Sequence, residues 1–308
     1  MRNRIVIILV NYNSFYDTKA CVNCIALTNT ELPFIVLVDN NSNNQGELST
    51  LQQEYKDLKI ILNNENIGFG RANNIGIDWA QKNLDFDFLL LLNNDTLIEQ
   101  STLSYLISAF AKDENIGITT GKTFYESNRN VVWYGGGDIN YVRGWPKLVD
   151  YNKEPTPTGA NNTRYVGFVS GCTMMFSKAS ISAIKGFDTD YFMYCEDLEL
   201  CIRAQKLGFK LYYESKAIIY HKVQGSSKKE NSVYTGDHPK NPNLSFLFYH
   251  MKTNQYLTFK KHLTGIAFLK FLIIYWIEFG LKSIIILLNN RRDMLPVFFK
   301  VIKKNLIG

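Results

Sequence analysis

Residues 88–96 read Phe-Leu-Leu-Leu-Leu-Asn-Asn-Asp-Thr, five apolar residues without a break followed by an abrupt polar stop. An apolar run this short and continuous suits a strand buried on both faces, as in the middle of an α/β sheet. The stop places one carboxylate, Asp95, at the carboxyl end of that strand, and open α/β sheets bind their ligands along that edge. Three earlier segments repeat the arrangement. Residues 4–10 stop at Asn11-Tyr12-Asn13-Ser14, residues 33–38 at Asp39-Asn40-Asn41-Ser42, and residues 58–62 at Asn63-Asn64. Residues 15–29, 46–56 and 70–82 between them carry helical spacing. Strands alternating with helices predict a mostly parallel sheet flanked by helices, with its polar strand ends gathered on one side.

The second half reads less regularly. A helix is expected over 99–112 and a strand over 116–122, with a turn or bulge at Gly135-Gly136-Gly137 beside the β-prone residues 131–134. Residues 143–164, rich in Pro, Gly, Asn and Thr, read as a loop. Residues 165–176 read as a strand interrupted by Gly171, and Glu196-Asp197 opens a helix to Leu207. A last strand over 211–220 ends at His221. Domain boundaries follow as a catalytic domain over 1–225, a polar linker over 226–243 and a helical region over 244–308 with long helices at 244–261 and 265–289.

The net charge of +6 is uneven: from residue 250 onward ten Lys and Arg face two acids, Glu278 and Asp293, so the basic character belongs to the C-terminal region. An anionic membrane surface suits that placement better than nucleic acid. Five cysteines, an odd number, read as reduced thiols of a cytoplasmic protein, and no secretory leader is expected at Met1-Arg2-Asn3-Arg4. Cys21-x-x-Cys24 lies inside an expected helix, which does not suit a redox pair.

Each candidate site residue has a plain structural alternative. Asp95 could cap the next helix and Asp39 could close a turn. Gly68-Phe69-Gly70 with Gly76 could be a helix start, or could let backbone approach a ligand with Arg71 meeting a phosphate. Glu196-Asp197 could simply favour a helix N-terminus, and His221 could be a structural strand-end group. Taken together, Asp95 and His221 could complete a hard-cation site with a phosphate, with Asp197 as a base nearby. The dinucleotide fingerprint is absent after the first strand, which argues against a nicotinamide or flavin enzyme.

Val10-Asn11-Tyr12-Asn13, Val38-Asp39-Asn40-Asn41-Ser42, Asn66-x-Gly68-Phe69-Gly70-x-Ala72-Asn73-x-x-Gly76, Asn93-Asn94-Asp95-Thr96, Gly171-Cys172 and Phe187-Asp188-x7-Glu196-Asp197 occur in this order. The set resembles the family 2 inverting glycosyltransferases of GT-A fold, Rossmann-like domains, and bacterial rhamnosyltransferase-like members above all. The resemblance covers residues 4–225. It implies a nucleotide-sugar donor bound by Asn11, Tyr12, Asp39, Asn66, Gly68, Arg71, Asn73 and Asn94, with Asp39 on the pyrimidine. It implies Mg2+ or Mn2+ on Asp95 and His221, Asp197 as the base that deprotonates the acceptor hydroxyl, and Glu196 positioning the acceptor. The best-known form of the metal motif is Asp-x-Asp. Asn93 stands at its first position here, so cation and donor are expected to bind together. L-Rhamnose from dTDP-rhamnose is the first expected donor, with UDP-galactofuranose, UDP-hexoses and UDP-N-acetylhexosamines as alternatives. A catalytically silent nucleotide-binding scaffold at the membrane is the reading from another class.

Residues 265–289 are strongly apolar but carry Lys270, Glu278 and Lys282, which at 100° per residue fall within a wedge of about 120°. That pattern, flanked by Arg291, Arg292, Lys300, Lys303 and Lys304, fits an interfacial helix better than a spanning one. Peripheral contact through 265–304 would bring the domain to the inner face of the bacterial cytoplasmic membrane and to a polyprenyl-diphosphate-linked glycan acceptor. The competing occupants of the apolar face are the catalytic domain or a second copy in a homodimer.

Overall fold

The computed structural model describes residues 4–28, 33–223, 239 and 241–307. The chain forms two compact units. The first comprises Met1–Asp138, Leu148–Phe192 and Glu196–Ser226, and the second Ile139–Lys147, Met193–Cys195 and Ser227–Gly308. Of the expected linker, residues 226–238 and 240 lie outside the described residues.

The first unit opens as strand and helix in alternation: β1 (Ile5–Asn11), α1 (Phe15–Thr28), β2 (Phe34–Asp39), α2 (Leu48–Glu54), β3 (Leu58–Leu62), α3 (Phe69–Asn83) and β4 (Phe88–Leu92). These four strands pair in parallel in the order β4-β1-β2-β3. Side chains alternate across a strand, so both faces of the apolar runs are used. Ile7, Leu9, Ile35, Leu37, Leu90 and Leu92 form one core with Val22 and Ile25 of α1 and Leu48 and Leu51 of α2. On the opposite face, α3 lies against Ile8 and Val38 at Gly76. Leu90 and Leu91 are fully buried, and truncating either to alanine would cost about 2–5 kcal/mol.

The second half continues as β5 (Thr96–Ile98), α4 (Thr102–Phe110), β6 (Ile116–Tyr125), β7 (Asn128–Tyr134), β8 (Gly137–Asn140), β9 (Trp145–Leu148), β10 (Arg164–Val166), β11 (Thr173–Ser177), α5 (Lys178–Ile184), α6 (Glu196–Lys206) and β12 (Lys210–His221). The full sheet runs β10-β12-β6-β11-β4-β1-β2-β3, with β5 on β12 and β7 on β6. It is mixed: β11 is antiparallel to both β4 and β6, so β4 sits in the interior as its apolar run requires. The expected strand over 165–176 is in fact β10 and β11, separated by the irregular residues 167–172. The loop over 143–164 contains β9. The helix expected from residue 99 begins only at Thr102, because Thr96–Ile98 pair with β12. Asp95 is therefore not a helix cap.

Among the described residues no disulfide forms, and burial pushes the Cys21 thiol well up, which fits a packing role inside α1.

The second unit contains α7 (Leu244–His262), α8 (Gly265–Leu288) and α9 (Leu295–Ile307). Leu244 and Phe248 of α7, Phe279 and Ile286 of α8, and Phe298 and Val301 of α9 share a core. The third helix is not evident from the sequence, where its lysines read only as basic flanks. By length and composition α8 could cross a membrane: its most apolar window has a mean hydropathy of 2.1 and is 22% buried. Its Glu278 accepts from Arg143 Nε at 2.6 Å, an internal ion pair of this unit.

Candidate active site

The carboxyl ends of β1, β2 and β4 bring their polar stops together. Asp39 is fully buried, and both its oxygens are occupied. Oδ1 accepts from Asn11 Nδ2 (2.7 Å) and Ser42 Oγ (2.6 Å), and Oδ2 from the Ser42 amide (2.9 Å) and Gln45 Nε2 (2.9 Å). A carboxylate offers about four lone-pair directions, so this one is saturated by the protein. Asn11 Oδ1 accepts from Thr18 Oγ1 (2.8 Å), and Asn94 Nδ2 donates to Thr18 Oγ1 (2.7 Å) and Ser14 Oγ (2.9 Å). One network thus joins Asp39, Asn11 and Asn94 across three adjacent strands.

A second network continues from the next residue. Asn40 Nδ2 donates to Asn66 Oδ1 (2.7 Å), which also accepts from the Gly68 amide (3.0 Å). Gly68 has φ 88°, and a Cβ there would lie 2.2 Å from the Phe192 carbonyl oxygen. That carbonyl accepts from the Phe69 amide (2.9 Å), so the residue before α3 must be glycine both for its backbone angle and for its neighbour. Asn73 is buried and donates to the Phe69 carbonyl (3.0 Å) within α3. Tyr12 is exposed, and Arg71 donates through Nε to the Thr189 carbonyl (2.8 Å).

Asp95 and His221 meet because β5 pairs with the end of β12 in the register Thr96↔His221, reinforced by the Lys222 amide donating to the Asp95 carbonyl (3.0 Å). The Asp95 Oδ1 to His221 Nε2 distance is 3.0 Å, with side chains 10% and 7% exposed. Burial disfavours the imidazolium, but Cys172 and Asp95 outweigh it and raise the His221 pKa to about 10. Trp133 packs against the imidazole edge-to-face at 4.5 Å. Asn93 Oδ1 and His221 Nδ1 are buried with no hydrogen-bond partner among the described residues, and Asn93 Nδ2 lies 3.4 Å from His221 Nε2. A carboxylate and an orphaned amide oxygen at one corner fit Mg2+ or Mn2+, and His221 joins this donor set only as the neutral ring, once a cation on Asp95 displaces its proton. Among the described residues no group of three or more His, Cys, Asp and Glu gathers. Any cation here would therefore draw remaining ligands from a phosphate and water.

Asp197 stands in the first turn of α6. Its Oδ2 accepts from the Gly171 amide (3.0 Å) and its Oδ1 from the Leu198 amide (2.8 Å). The next residue, Cys172, accepts at its carbonyl from the Asn93 amide (2.9 Å), so Gly171-Cys172 links Asp197 to the Asn93–Asp95 corner. Burial raises both carboxyls of the Glu196-Asp197 pair. Glu196, whose Oε2 has no hydrogen-bond partner among the described residues, is pushed up to about 8 by burial and then by the neighbouring charge of Asp197. Neighbouring carboxyls that are both raised resist ionising together, and the two amides donated to Asp197 favour the charge there and the proton on Glu196. Sequence reasoning missed Thr18, Gln45 and Trp133. Ser14, Asn40, Ser42 and Cys172 lay inside recognised strand ends or motifs without a role of their own, but nothing in the sequence pointed to Trp133.

This is the fold of the GT-A glycosyltransferases. The structure of GalNAc-T7 with UDP, GalNAc and Mn2+ aligns with a TM-score of 0.59 at 17% identity, over 80% of this chain and 48% of that one. The chain belongs to glycosyltransferase-like family 2, whose sequence model matches residues 4–235. It is 26% identical over 219 residues to a poly-β-1,6-N-acetyl-D-glucosamine synthase of Staphylococcus aureus, covering 70% of this chain and 49% of the relative. It is 25% identical over 229 residues to the N-acetylglucosaminyl-diphospho-decaprenol L-rhamnosyltransferase of Mycobacterium tuberculosis, covering 68% and 73%. The chain spans about half the length of the first of these curated relatives.

Proposed function

We propose that the chain catalyses inverting transfer of a sugar from a nucleotide-sugar to a glycan hydroxyl. The observation that carries this reading is the Gly171-Cys172 bridge, which ties the half-buried Asp197 carboxylate and the Asn93–Asp95 corner to adjacent residues. Asp197 takes the proton of the acceptor hydroxyl as its oxygen attacks the anomeric carbon. The bond from that carbon to the diphosphate oxygen breaks on the opposite face, so configuration inverts and no sugar–enzyme bond forms. General-base help of this kind is worth ~10²–10⁴ in rate. Glu196, protonated beside it, leaves Asp197 as the basic member and serves to position the acceptor.

Asp95, His221 and the Asn93 amide oxygen would hold Mg2+ or Mn2+. Such a cation, when bound, neutralises the departing diphosphate. Asp39 reads the pyrimidine, with Asn11, Tyr12, Asn66, Gly68, Arg71, Asn73 and Asn94 forming the rest of the nucleotide site. Asp39 can accept a base N–H only if one present donor leaves. Gln45, a terminal amide on a short 3-10 turn, is the donor free to do so.

The M. tuberculosis relative is by name an L-rhamnosyltransferase with a decaprenol-linked acceptor, which makes dTDP-rhamnose the first donor to test and a polyprenyl-diphosphate-linked glycan the first acceptor. The S. aureus relative keeps UDP-N-acetylhexosamines on the panel. A lipid-linked acceptor suits the exposed aliphatic face of α8, with Ile266, Leu269, Ile273, Ile277 and Leu281 at helical spacing. It also suits the exposed Lys300, Lys303 and Lys304 of α9. Flotation with anionic vesicles at low and high salt tests this attachment, and no binding at low salt rejects it. A panel of nucleotide-sugars with Mg2+ or Mn2+ should show strong thermal stabilisation by the true donor, and Asp197→Asn should abolish its turnover while keeping that stabilisation. Nucleotide binding without turnover of any donor would favour the silent scaffold.

A further inference from the structure

Tyr194 (φ 70°) and Cys195 (φ 67°) hold left-handed backbone directly before Glu196. Such a conformation costs an L-residue about 1–2 kcal/mol, and two in succession persist only where their surroundings over-determine them. Neither residue is the glycine or asparagine that takes this conformation readily. The pair fixes the direction in which the chain enters α6, and so where its first-turn carboxylates point.

The restraint comes from α7. Asn254 is 6% exposed, and its Nδ2 donates to the Met193 and Tyr194 carbonyls, each at 2.9 Å. The Cys195 thiol faces the Met251 carbonyl at 4.0 Å. Asn254 belongs to a row of four consecutive buried polar residues, Lys252–Gln255, where a core-facing helix would ordinarily present apolar side chains. The row holds remote backbone: Lys252 Nζ donates to Gln255 Oε1 (3.0 Å), and Gln255 Nε2 donates to the Arg143 carbonyl (2.8 Å). Asn254 is its member on the turn before Glu196.

We propose that Asn254 is a positioning residue for the Glu196-Asp197 pair. Its amide holds the left-handed turn closed, and through the covalent chain that turn sets the aim of Asp197. The role in turnover rests on Asp197 being the base; the role in holding the turn does not. Two substitutions separate the physics. Asn254→Asp keeps the shape but turns a two-proton donor into an oxygen facing two carbonyls. Cys195→Gly removes the Cβ penalty of the left-handed turn, so less restraint is needed from residue 254.

The test compares full-length wild type, N254D, N254A, C195G and N254A/C195G, with folding checked by thermal melting. Backbone hydrogen exchange over 193–200 and 168–173 needs no substrate, and the second segment contains the Gly171 amide that Asp197 accepts. N254D and N254A should speed exchange in both segments and leave 5–11 and 34–39 unchanged. With the donor that the nucleotide-sugar panel selects, kcat should fall about 10–100-fold and donor KM should stay within about two-fold. N254A/C195G should recover most of both losses. Unchanged exchange over 193–200, or no recovery in N254A/C195G, overturns the proposal. If N254D fails to fold, N254A and its C195G rescue decide alone. If wild type turns over no nucleotide-sugar, the transferase reading falls and the exchange measurements still decide the positioning role.

Discussion

Replacing Glu196 by glutamine should change how stability depends on pH. Glu196 is 6% exposed, its Oε2 has no hydrogen-bond partner among the described residues, and burial with the neighbouring Asp197 raises its pKa from 4.5 to about 8. In the unfolded chain the group ionises near 4.5, whereas in the folded protein it stays protonated until about 8. Its contribution is therefore intact below the unfolded value and lost progressively as pH rises to the folded one. One proton is involved, so the loss runs at about 1.4 kcal/mol per pH unit at most. Over the whole interval that is roughly 5 kcal/mol as a ceiling, reduced to a few kcal/mol if water reaches the ionised carboxylate. Glutamine has the same shape and never ionises, so E196Q removes the slope and adds only a pH-independent offset for its amide. Urea unfolding at pH 5.5, 6.5 and 7.5 should show wild type losing stability relative to E196Q by about 1 kcal/mol per pH unit. His221, also raised, titrates in both proteins and cancels in the difference. A difference that stays flat across these pH values would refute the assignment of the proton to Glu196.

With one carboxylate in the cation corner, Mn2+ should bind weakly alone and tightly with the nucleotide present; titration calorimetry in both conditions checks this, and tight binding without nucleotide would contradict it. Asp95→Asn should weaken Mn2+ binding about ten-fold or more in the nucleotide-bound state, and should also lower the nucleotide-free melting temperature, because the His221 imidazolium loses its partner. Gly68→Ala combines φ 88° with a 2.2 Å approach to the Phe192 carbonyl. It should cost about 2 kcal/mol or more, read by denaturant unfolding, and a neutral result would show that the α3 entrance is not fixed.

The parallel half of the sheet was legible because its elements are local. Each of the four mostly apolar strands ends at Asn or Asp, and β3 and β4 begin and end where the sequence places them. The second half was not, because strand direction there is decided by partners far away. β11 inserts antiparallel between β4 and β6, and the three residues of β5 exist only by pairing with β12. The same limit governs the site. Asp39, Asp95, Glu196 and Asp197 stand at element ends and could be found from sequence. Trp133 against His221, Gln45 on Asp39 and the clamp at Asn254 depend on contacts across long stretches of chain. In α7 the local signal even misleads, since Lys252-Thr253-Asn254-Gln255 reads as a solvated face and is buried.

The Met193–Asn254 hydrogen bond spans 61 residues of sequence. During synthesis, the strands carrying Asp39 and Asp95 can pair before α7 has been made. The turn ahead of Glu196 must wait until Asn254 leaves the ribosome, and then it must close a long loop at an entropic cost. The strand ends carrying Asp39 and Asp95 thus assemble early and the turn before Glu196 closes late, so the two halves of the candidate site become ordered at different stages of synthesis.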